Sequence, residues 1–372
     1  MANQHAHRLL YQIALTMLPN IGSVLAKNLL AYCGSPEAVF KMPKQKLLKI
    51  PAIGEERAEA IVSADVLKAA EQELKFIDEY AIQTFFFTDD NYPTRLKACN
   101  DSPMLLYYKG GANLNAPKTI GIVGTRRATD YGKEFTKKLV ADLAGHDVLI
   151  ISGLAYGIDV AAHSAALDNN LNTVGVLAHG LNTIYPQQHK GIAKKMVQQG
   201  GLLTEYTSAD EMSPHNFPQR NRIVAGLCDA LIVVESGEKG GAIITANIAN
   251  SYNREVFAAP GRATDKMSKG CNFLIKTYKA TIAESAADML DALGWQGEQS
   301  KNTGKKAQRQ LAINLTAEEQ GIYNLLNEKG EVEIDKLAEG ANLSASSLAA
   351  TLLEMEMNNL IVSLPGKRYK LV

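Results

Sequence analysis

Glycine-rich turns with attached cations are the residues of this chain best suited to chemistry, and that chemistry is anion binding. Each turn follows an apolar run, and a helical stretch follows each turn. Glycine lets the backbone approach a phosphate closely, and helix N-terminal N–H groups complete the anion site. The alternative is that these are tight strand-to-helix turns without a ligand. In chain order, the candidate phosphate-binding residues are Gly124, Thr125, Arg126, Arg127, Gly153, Gly157, Lys239, Gly240, Gly241 and Thr245.

A second candidate cluster contains Phe217, Arg220, Asn221 and Arg222, at the predicted start of a helix. An arginine can place two N–H groups on phosphate oxygens, and an aromatic ring can stack on a base. The alternative is that Phe217 belongs to the core and the arginines pair with Glu205 or Asp229. We predict that Arg126, Arg220 and Arg222 line one pocket.

Catalytic chemistry has weaker support in the sequence. Asp159 or Glu235 could serve a phosphoribohydrolase-type enzyme, but neither has a clear partner, and Gly-Gly-x-Gly-Thr is absent. Ser152 is not in a nucleophile elbow, and the glycine spacing of a dinucleotide-binding turn is missing. Asp159 and His163 at i,i+4 could hold a metal; we favour a helix cap and a buried hydrogen-bonding histidine instead. We therefore predict no catalytic residue, no metal and no cofactor.

Composition describes ordinary globular material without a blanket positive charge. The 372 residues are 46% hydrophobic and 21% charged, with 39 basic and 39 acidic side chains. Any nucleic-acid binding must therefore come from local patches and backbone amides. Four cysteines without a CxxC pair fit a reducing compartment. No signal-peptide pattern and no apolar run near the ~20 residues needed to cross a bilayer are evident, so we expect a cytoplasmic protein without membrane contact.

A parallel α/β sheet must position the candidate residues. Apolar runs typical of strands buried on both faces alternate with stretches long enough for crossover helices. The runs are 119–124, 148–153, 172–178, 201–205, 230–235 and 255–259, and the helical stretches are 131–144, 157–169, 187–199 and 241–252. We predict an extended Rossmann-like, doubly wound parallel sheet over residues 86–295. Ligands of such sheets bind at the carboxyl ends of the strands, where the glycine turns fall.

The first 85 residues form a predicted helical domain with an internal repeat. Leu18-Pro19-Asn20-Ile21-Gly22 and Ile50-Pro51-Ala52-Ile53-Gly54 each lead into a helix with alanine at the same offset, Ala26 and Ala58. This is similar to a helix-hairpin-helix (SAM-like) domain, whose turn exposes N–H groups to a DNA phosphate. The turns can equally serve packing or protein contact.

The last 77 residues divide into a linker and a small domain. Residues 296–314 are polar and rich in lysine, which predicts a flexible linker. From 315 to 372, a capping box at Thr316 to Glu319, three helical stretches and a hairpin with the basic tip Lys367-Arg368 predict a winged helix.

Three motifs together resemble the DNA-processing protein A (DprA/Smf) family. They are Gly124-Thr125-Arg126, Ser152-Gly153-Leu154-Ala155-x-Gly157-Ile158-Asp159-x-x-x-His163 and Phe217-Pro218-x-Arg220-Asn221-Arg222-Ile223. The resemblance implies binding of single-stranded DNA in a basic pocket, with Arg126, Arg220, Asn221, Arg222 and the glycine loops as the phosphate-binding set. It also implies a homodimer through the Rossmann-like domain and loading of the recombinase RecA during natural transformation.

Two departures from the family pattern affect the expected site. The turn before the Thr245 helix reads Lys239-Gly240-Gly241-Ala242, so a serine hydroxyl is replaced and Lys239 could compensate. The segment Pro214-His215-Asn216 lacks the lysine that relatives often carry there. A winged-helix transcription regulator is a competing interpretation. A regulator would protect one defined duplex sequence in a footprinting experiment. Membership of the DprA/Smf family instead predicts sequence-tolerant, salt-sensitive binding to single strands.

Overall fold

The computed structural model describes residues 2–63, 65–295, 316–341, 343–358, 360–364 and 368–371. The predicted linker over 296–314 and most of the hairpin tip, residues 365–367, lie outside the described residues. The chain divides into two compact units, Met1–Lys301 and Asn302–Val372, each with its own hydrophobic core.

The amino-terminal region is helical, and its two repeats adopt the same turn. In both, the residue after proline has a left-handed backbone, with φ of 60° at Asn20 and 64° at Ala52. Ala26 and Ala58 are buried at the same position of the helix that follows each turn. The repeat is therefore a pair of helix-hairpin-helix units around a shared core. Its helices are α1 Ala2–Thr16, α2 Ser23–Cys33, α3 Pro36–Lys41, α4 Lys44–Leu47, α5 Glu55–Ser63 and α6 Leu67–Glu79.

Within residues 65–295, nine strands form one sheet in the order β1-β2-β6-β5-β4-β3-β7-β8-β9. The seven neighbouring strands β6, β5, β4, β3, β7, β8 and β9 are all paired in parallel, which confirms the predicted doubly wound core. The sequence did not predict β1, β2 or β9. Strands β1 and β2 extend the sheet antiparallel at one edge, and β9 ends it at the other. The strands are β1 Gln83–Phe86, β2 Leu105–Gly110, β3 Lys118–Val123, β4 Val148–Ser152, β5 Thr173–Val176, β6 Gly201–Thr204, β7 Ala230–Val233, β8 Glu255–Ala258 and β9 Thr281–Ile282.

Helices cover both faces of this sheet. Apolar side chains of α8, α9 and α14 pack on one face, and those of α11, α12 and α13 pack on the other. Two layers of helices explain why the central strands are apolar throughout. The helices are α7 Thr94–Lys97, α8 Asp130–Leu143, α9 Ile158–Asp168, α10 Lys190–Gln199, α11 Asn216–Leu227, α12 Gly241–Ser251, α13 Lys269–Lys276 and α14 Ala286–Ala292.

The helical region packs directly on the antiparallel edge of the sheet. Phe86 of β1 and Leu105 and Tyr107 of β2 belong to the same core as α1, α2 and α5. Glu73 of α6, only 3% exposed, accepts hydrogen bonds from the backbone N–H and the hydroxyl of Ser208. Strands β1 and β2 therefore join the helical region to the sheet.

The second unit is a winged helix. Thr316 accepts a hydrogen bond from the N–H of Glu319 at 3.3 Å, and Glu319 accepts one from the N–H of Thr316 at 2.7 Å, so the predicted capping box is present. A short strand not predicted from the sequence adds a third member to the hairpin. The elements are α15 Ala317–Lys329, β10 Val332–Glu333, α16 Ile334–Ala341, α17 Ala345–Met357, β11 Ile361–Leu364 and β12 Arg368–Leu371.

Candidate nucleic-acid interface

A cleft of about 490 Å³ opens at the carboxyl ends of β3, β4 and β7. Strand β3 pairs with β4 on one side and with β7 on the other, because the chain runs outward from β3 through β4, β5 and β6 and then returns to add β7 on the opposite side. Such a reversal of strand order opens a crevice, and ligands of α/β sheets bind there. Ten of the fourteen residues predicted to bind phosphate line this cleft: Gly124, Thr125, Arg126, Gly153, Phe217, Arg220, Asn221, Gly240, Gly241 and Thr245.

The turn after β3 is held in place by backbone contacts with its neighbours. The N–H of Thr125 donates to the carbonyl of Glu235 at 2.7 Å, and its carbonyl accepts from the N–H of Ile158 at 3.3 Å. Gly157 has φ +80°, and a Cβ there would overlap the Thr125 carbonyl oxygen. Gly157 does not line the cleft. Its role is to let the start of α9 pack behind the turn, which corrects its prediction as a phosphate-binding residue.

A cation and two aromatic rings form one wall of the cleft. The Arg126 guanidinium carbon lies 5.1 Å from the centroid of the Phe217 ring. Phe217 in turn meets Tyr185 edge to face, with 5.9 Å between the ring centroids. Tyr185 is 41% exposed, so an aromatic surface faces solvent beside an exposed cation. Tyr185 was missed as a site residue because it lies in a loop whose path over the cleft no local pattern shows.

Arg220 lies at the floor of the cleft and is 5% exposed. Its guanidinium donates to the carbonyl of Val176 and, at 3.3 Å, to the side-chain oxygen of Asn221. Gly153 leaves room for this group, since a Cβ there would overlap both the Arg220 guanidinium and the Asp159 carboxylate. Burial raises the pKa of Asp159, and the Arg220 charge opposes that shift. Arg220 is therefore both a cleft cation and the counter-charge of a buried carboxylate.

His163 supports the Gly153 turn from inside the protein. Its Nδ1 lies 2.7 Å from the Thr173 hydroxyl, and its Nε2 is hydrogen-bonded with the Gly153 carbonyl. The side chain is fully buried, as predicted. Burial lowers the pKa of His163 to about 4.

The buried histidine predicts a pH dependence of stability. Unfolded chains protonate histidine below its ordinary pKa of 6.5, whereas folded His163 resists protonation until about pH 4. The free energy of unfolding should therefore decrease as the pH is lowered through this window. The decrease should exceed that of a His163→Gln variant by about 3 kcal/mol. Urea unfolding between pH 7 and 4.5 measures the difference, and exposed His215→Gln is the control. Parallel curves for the parent and His163→Gln would contradict the assignment.

The start of α12 borders the cleft on the side of β7. Its N-cap residue, Gly240, provides no side-chain cap, and Gly240, Gly241 and Ala242 line the opening. A Cβ on Gly240 would overlap the hydroxyl oxygen of Ser236, a buried cleft residue not predicted from the sequence. The Thr245 hydroxyl donates to the Gly241 carbonyl at 3.1 Å, so its hydrogen bond is made within the helix. Lys239 is exposed and lies outside the cleft lining.

Arg222 does not share the cleft with Arg126 and Arg220, so the prediction of one pocket for all three is wrong. It points instead into a second cleft of about 600 Å³, bordered by the first helix-hairpin-helix turn. There its guanidinium forms an ion pair with Glu205, and both side chains are mostly buried. Arg127 is also outside the first cleft: it is exposed, and its N–H donates to the Thr125 hydroxyl at 3.1 Å.

The carboxylates considered for catalysis have contacts within the fold. Glu235 accepts hydrogen bonds from the N–H and hydroxyl of Thr129, at 2.9 and 2.5 Å, where α8 begins. Asp159 is not the cap of α9, because Gly157 has that position; Asp159 accepts from the N–H of Ala155 at 3.4 Å. Among the described residues, no group of three or more His, Cys, Asp or Glu side chains is placed to hold a metal.

The fold and the cleft define the class: an extended Rossmann-type α/β protein flanked by helix-hairpin-helix and winged-helix domains. The models of three protein families match it: DNA recombination-mediator protein A over residues 83–294, the DprA winged-helix domain over 306–367, and a SAM-like helix-hairpin-helix tandem over 13–64. The chain belongs to the DNA recombination-mediator protein A family, also called DprA or Smf, whose role is in DNA processing.

Similar proteins agree with this assignment. The putative DNA processing protein DprA of Mycobacterium tuberculosis is 37% identical over 276 residues, covering 73% of this chain and 70% of that protein. The X-ray structure of DprA from Streptococcus pneumoniae matches with a TM-score of 0.62 and 30% identity, covering 76% of this chain and 97% of that one. DprA from Helicobacter pylori, described for its single-stranded DNA binding mode, matches with a TM-score of 0.52 and 30% identity, covering 57% and 95%. Across the described ranges of this chain, no helix combines the length and apolar character needed to span a bilayer.

Proposed function

We propose that this chain binds the sugar-phosphate backbone of single-stranded DNA in the cleft at the carboxyl ends of β3, β4 and β7, without covalent chemistry. The observation that carries the proposal is the meeting of Arg126, Arg220 and the uncapped start of α12 around one opening. Charged donors and the N–H groups of a helix start suit phosphate oxygens, and the exposed Tyr185 beside half-buried Phe217 suits a base. The binding mode described for the Helicobacter pylori relative supports the choice of single strands.

The partners follow from family membership. We infer that the bound strand is passed to the recombinase RecA, that the chain acts in the cytoplasm, and that it forms a homodimer through the Rossmann-like domain. Natural transformation, in which single strands enter the cell, is the process that such an activity serves. The family match over residues 83–294 supports these inferences, because it covers the domain to which they refer.

Arg126 provides the sharpest test of the cleft. Arg126→Ala should weaken binding to single-stranded oligonucleotides about 10- to 100-fold, because one charge-assisted phosphate contact contributes about 1.5–3 kcal/mol. The dependence of log affinity on log salt should become shallower by about 0.7, the value for one phosphate on a single strand. Stability should stay within about 0.5 kcal/mol, since the side chain is exposed. Fluorescence anisotropy over a salt series measures both quantities.

Arg127→Ala is the matched control, because it removes the same charge one residue away and outside the cleft lining. It should change the affinity for DNA less than about threefold, because a charge outside the cleft acts on DNA only through its general electrostatic field. Equal losses in the two variants would mean that a general positive field, and not the cleft, holds the DNA.

A further inference from the structure

The third helix of the winged-helix unit carries no cation. Helix α17 has the sequence ASSLAATLLEMEM, with neither lysine, arginine nor histidine. In DNA-binding proteins with this architecture, the corresponding helix lies in the major groove, and basic and amide side chains contact phosphates and bases. The residues of α17 provide serine and threonine hydroxyls and two glutamates instead. A helix of this composition is poorly suited to a DNA groove.

The charge of the domain that follows the predicted linker points the same way. Residues 316–371 contain nine acidic and five basic side chains, a formal charge of −4 within a chain whose total is zero. In the wing, Arg368 forms an ion pair with Glu331 at 2.7 Å, which offsets part of the positive charge of β12. Binding to duplex DNA gains most of its free energy from cations that neutralise phosphates, and this unit has a deficit of them.

One side of α17 is buried and the opposite side is open. Leu348, Leu352 and Met355 are at most 2% exposed and belong to the core of the unit. Ala345, Ala349, Ala350 and Leu353 are exposed at helical spacing, and we call them the α17 face. Leu353 is 60% exposed, so a large apolar side chain projects from a surface of alanines.

Carboxylates border this face. Glu354 is exposed beside Leu353, and the half-buried Glu356, three residues after Leu353 along the helix, accepts a hydrogen bond from the Ser363 hydroxyl at 2.8 Å. Alanines allow the backbone of a second helix to approach closely, and a leucine between them supplies an apolar anchor. The surrounding negative charge selects a partner with lysine or arginine at the edges of its apolar stripe.

We propose that the α17 face binds an amphipathic helix of a partner protein, with apolar residues on its contact side and basic residues at its borders, and that α17 does not enter a DNA groove. This surface is separate from the cleft in the first unit. Its test therefore fails or succeeds independently of single-stranded DNA binding.

The first experiment uses the full chain and a synthetic amphipathic peptide with leucine on one side and lysine on the other. Leu353→Asp should weaken peptide binding about tenfold or more, because burying a leucine contributes about 1.5–3 kcal/mol. Glu354→Lys should also weaken it, by charge repulsion. Val62→Asp makes a comparable exchange at an exposed position of α5, 53% exposed, and should leave binding unchanged. Equal peptide affinity in Leu353→Asp and the parent overturns the proposal.

The second experiment measures duplex binding by the full-length Ala349→Glu/Ala350→Glu variant. Both alanines are exposed, so the fold should be kept, and thermal unfolding verifies this. A duplex oligonucleotide should bind the variant within about twofold of the parent, because α17 makes no contact with it. The same variant should lose the peptide. A tenfold loss of duplex affinity with retained peptide binding would assign α17 to DNA and reject the proposed partner.

Discussion

Arg220→Ala is expected to lower the free energy of unfolding by about 3–5 kcal/mol and to weaken single-stranded DNA binding about 10- to 100-fold. The side chain is only 5% exposed and lies beside the buried Asp159 carboxylate. Removing the guanidinium leaves Asp159 without its counter-charge, and it also removes a cation from the floor of the cleft. Urea unfolding and fluorescence anisotropy, both at neutral pH, measure the two effects.

A double variant separates the two roles of Arg220. Arg220→Met/Asp159→Asn fills the space with an apolar chain and removes the buried charge, while asparagine can still accept from the N–H of Ala155. Most of the lost stability should return, because a buried ion pair can be replaced by neutral groups at little cost. DNA binding should stay weak, since the cleft still lacks its cation. If the double variant binds DNA as the parent does, Arg220 acts on stability alone.

The sequence predicted the sheet well because the sheet obeys local rules. Continuous apolar runs, glycine turns and crossover-length helices each leave a pattern within a few residues, and all six predicted runs became parallel strands. The carboxyl ends of those strands then gave the position of the cleft. Gly124, Gly153 and Gly240 could be assigned to this cleft from the sequence alone, because their turns all follow the carboxyl ends of parallel strands.

What the sequence did not show depends on contacts between distant segments. β1 and β2 contain short apolar runs, but their antiparallel place at the sheet edge depends on the pairing of β1 with β2, of β2 with β6, and on the core of the helical region. Tyr185 and Ser236 were not chosen as site residues, although Ser236 begins the glycine turn after β7, because only the path of each loop decides whether its side chain faces the cleft. A glycine can let the backbone approach a phosphate, or it can let two segments pack closely, and the sequence does not distinguish these roles. Gly157 has the second role, because it lets the start of α9 pack behind the turn after β3.

Arg222 is a different kind of error, because the sequence contained the correction. Residues two apart on a helix point roughly 200° away from each other. Because a helix was predicted to start at this cluster, Arg220 and Arg222 could not both be expected to face one cleft. The structure places Arg222 beside Glu205, the partner that the alternative interpretation had named.

Arg222→Ala should therefore destabilise the fold by about 3 kcal/mol and leave single-stranded DNA binding within about twofold of the parent. The two side chains of the pair are 12% and 15% exposed, so the loss of the guanidinium leaves Glu205 charged and mostly buried. Burial already raises the pKa of Glu205, and Arg222 is the group that opposes the shift. Binding is measured by anisotropy at a temperature where unfolding curves show the variant to be folded.

The pair variant Arg222→Met/Glu205→Gln decides between an ion pair and a DNA contact. If Arg222 serves the fold, the double variant regains most of the stability and binds DNA like the parent, because no buried charge is left and the first cleft is unchanged. If Arg222 contacts DNA through the second cleft, affinity falls in both variants, whatever the stability. We expect the two double variants to differ in DNA binding. Arg220→Met/Asp159→Asn should regain stability but still bind DNA weakly, whereas Arg222→Met/Glu205→Gln should regain stability and bind DNA like the parent. The reason is that, of the two arginines, Arg220 lines the cleft of β3, β4 and β7 and Arg222 does not.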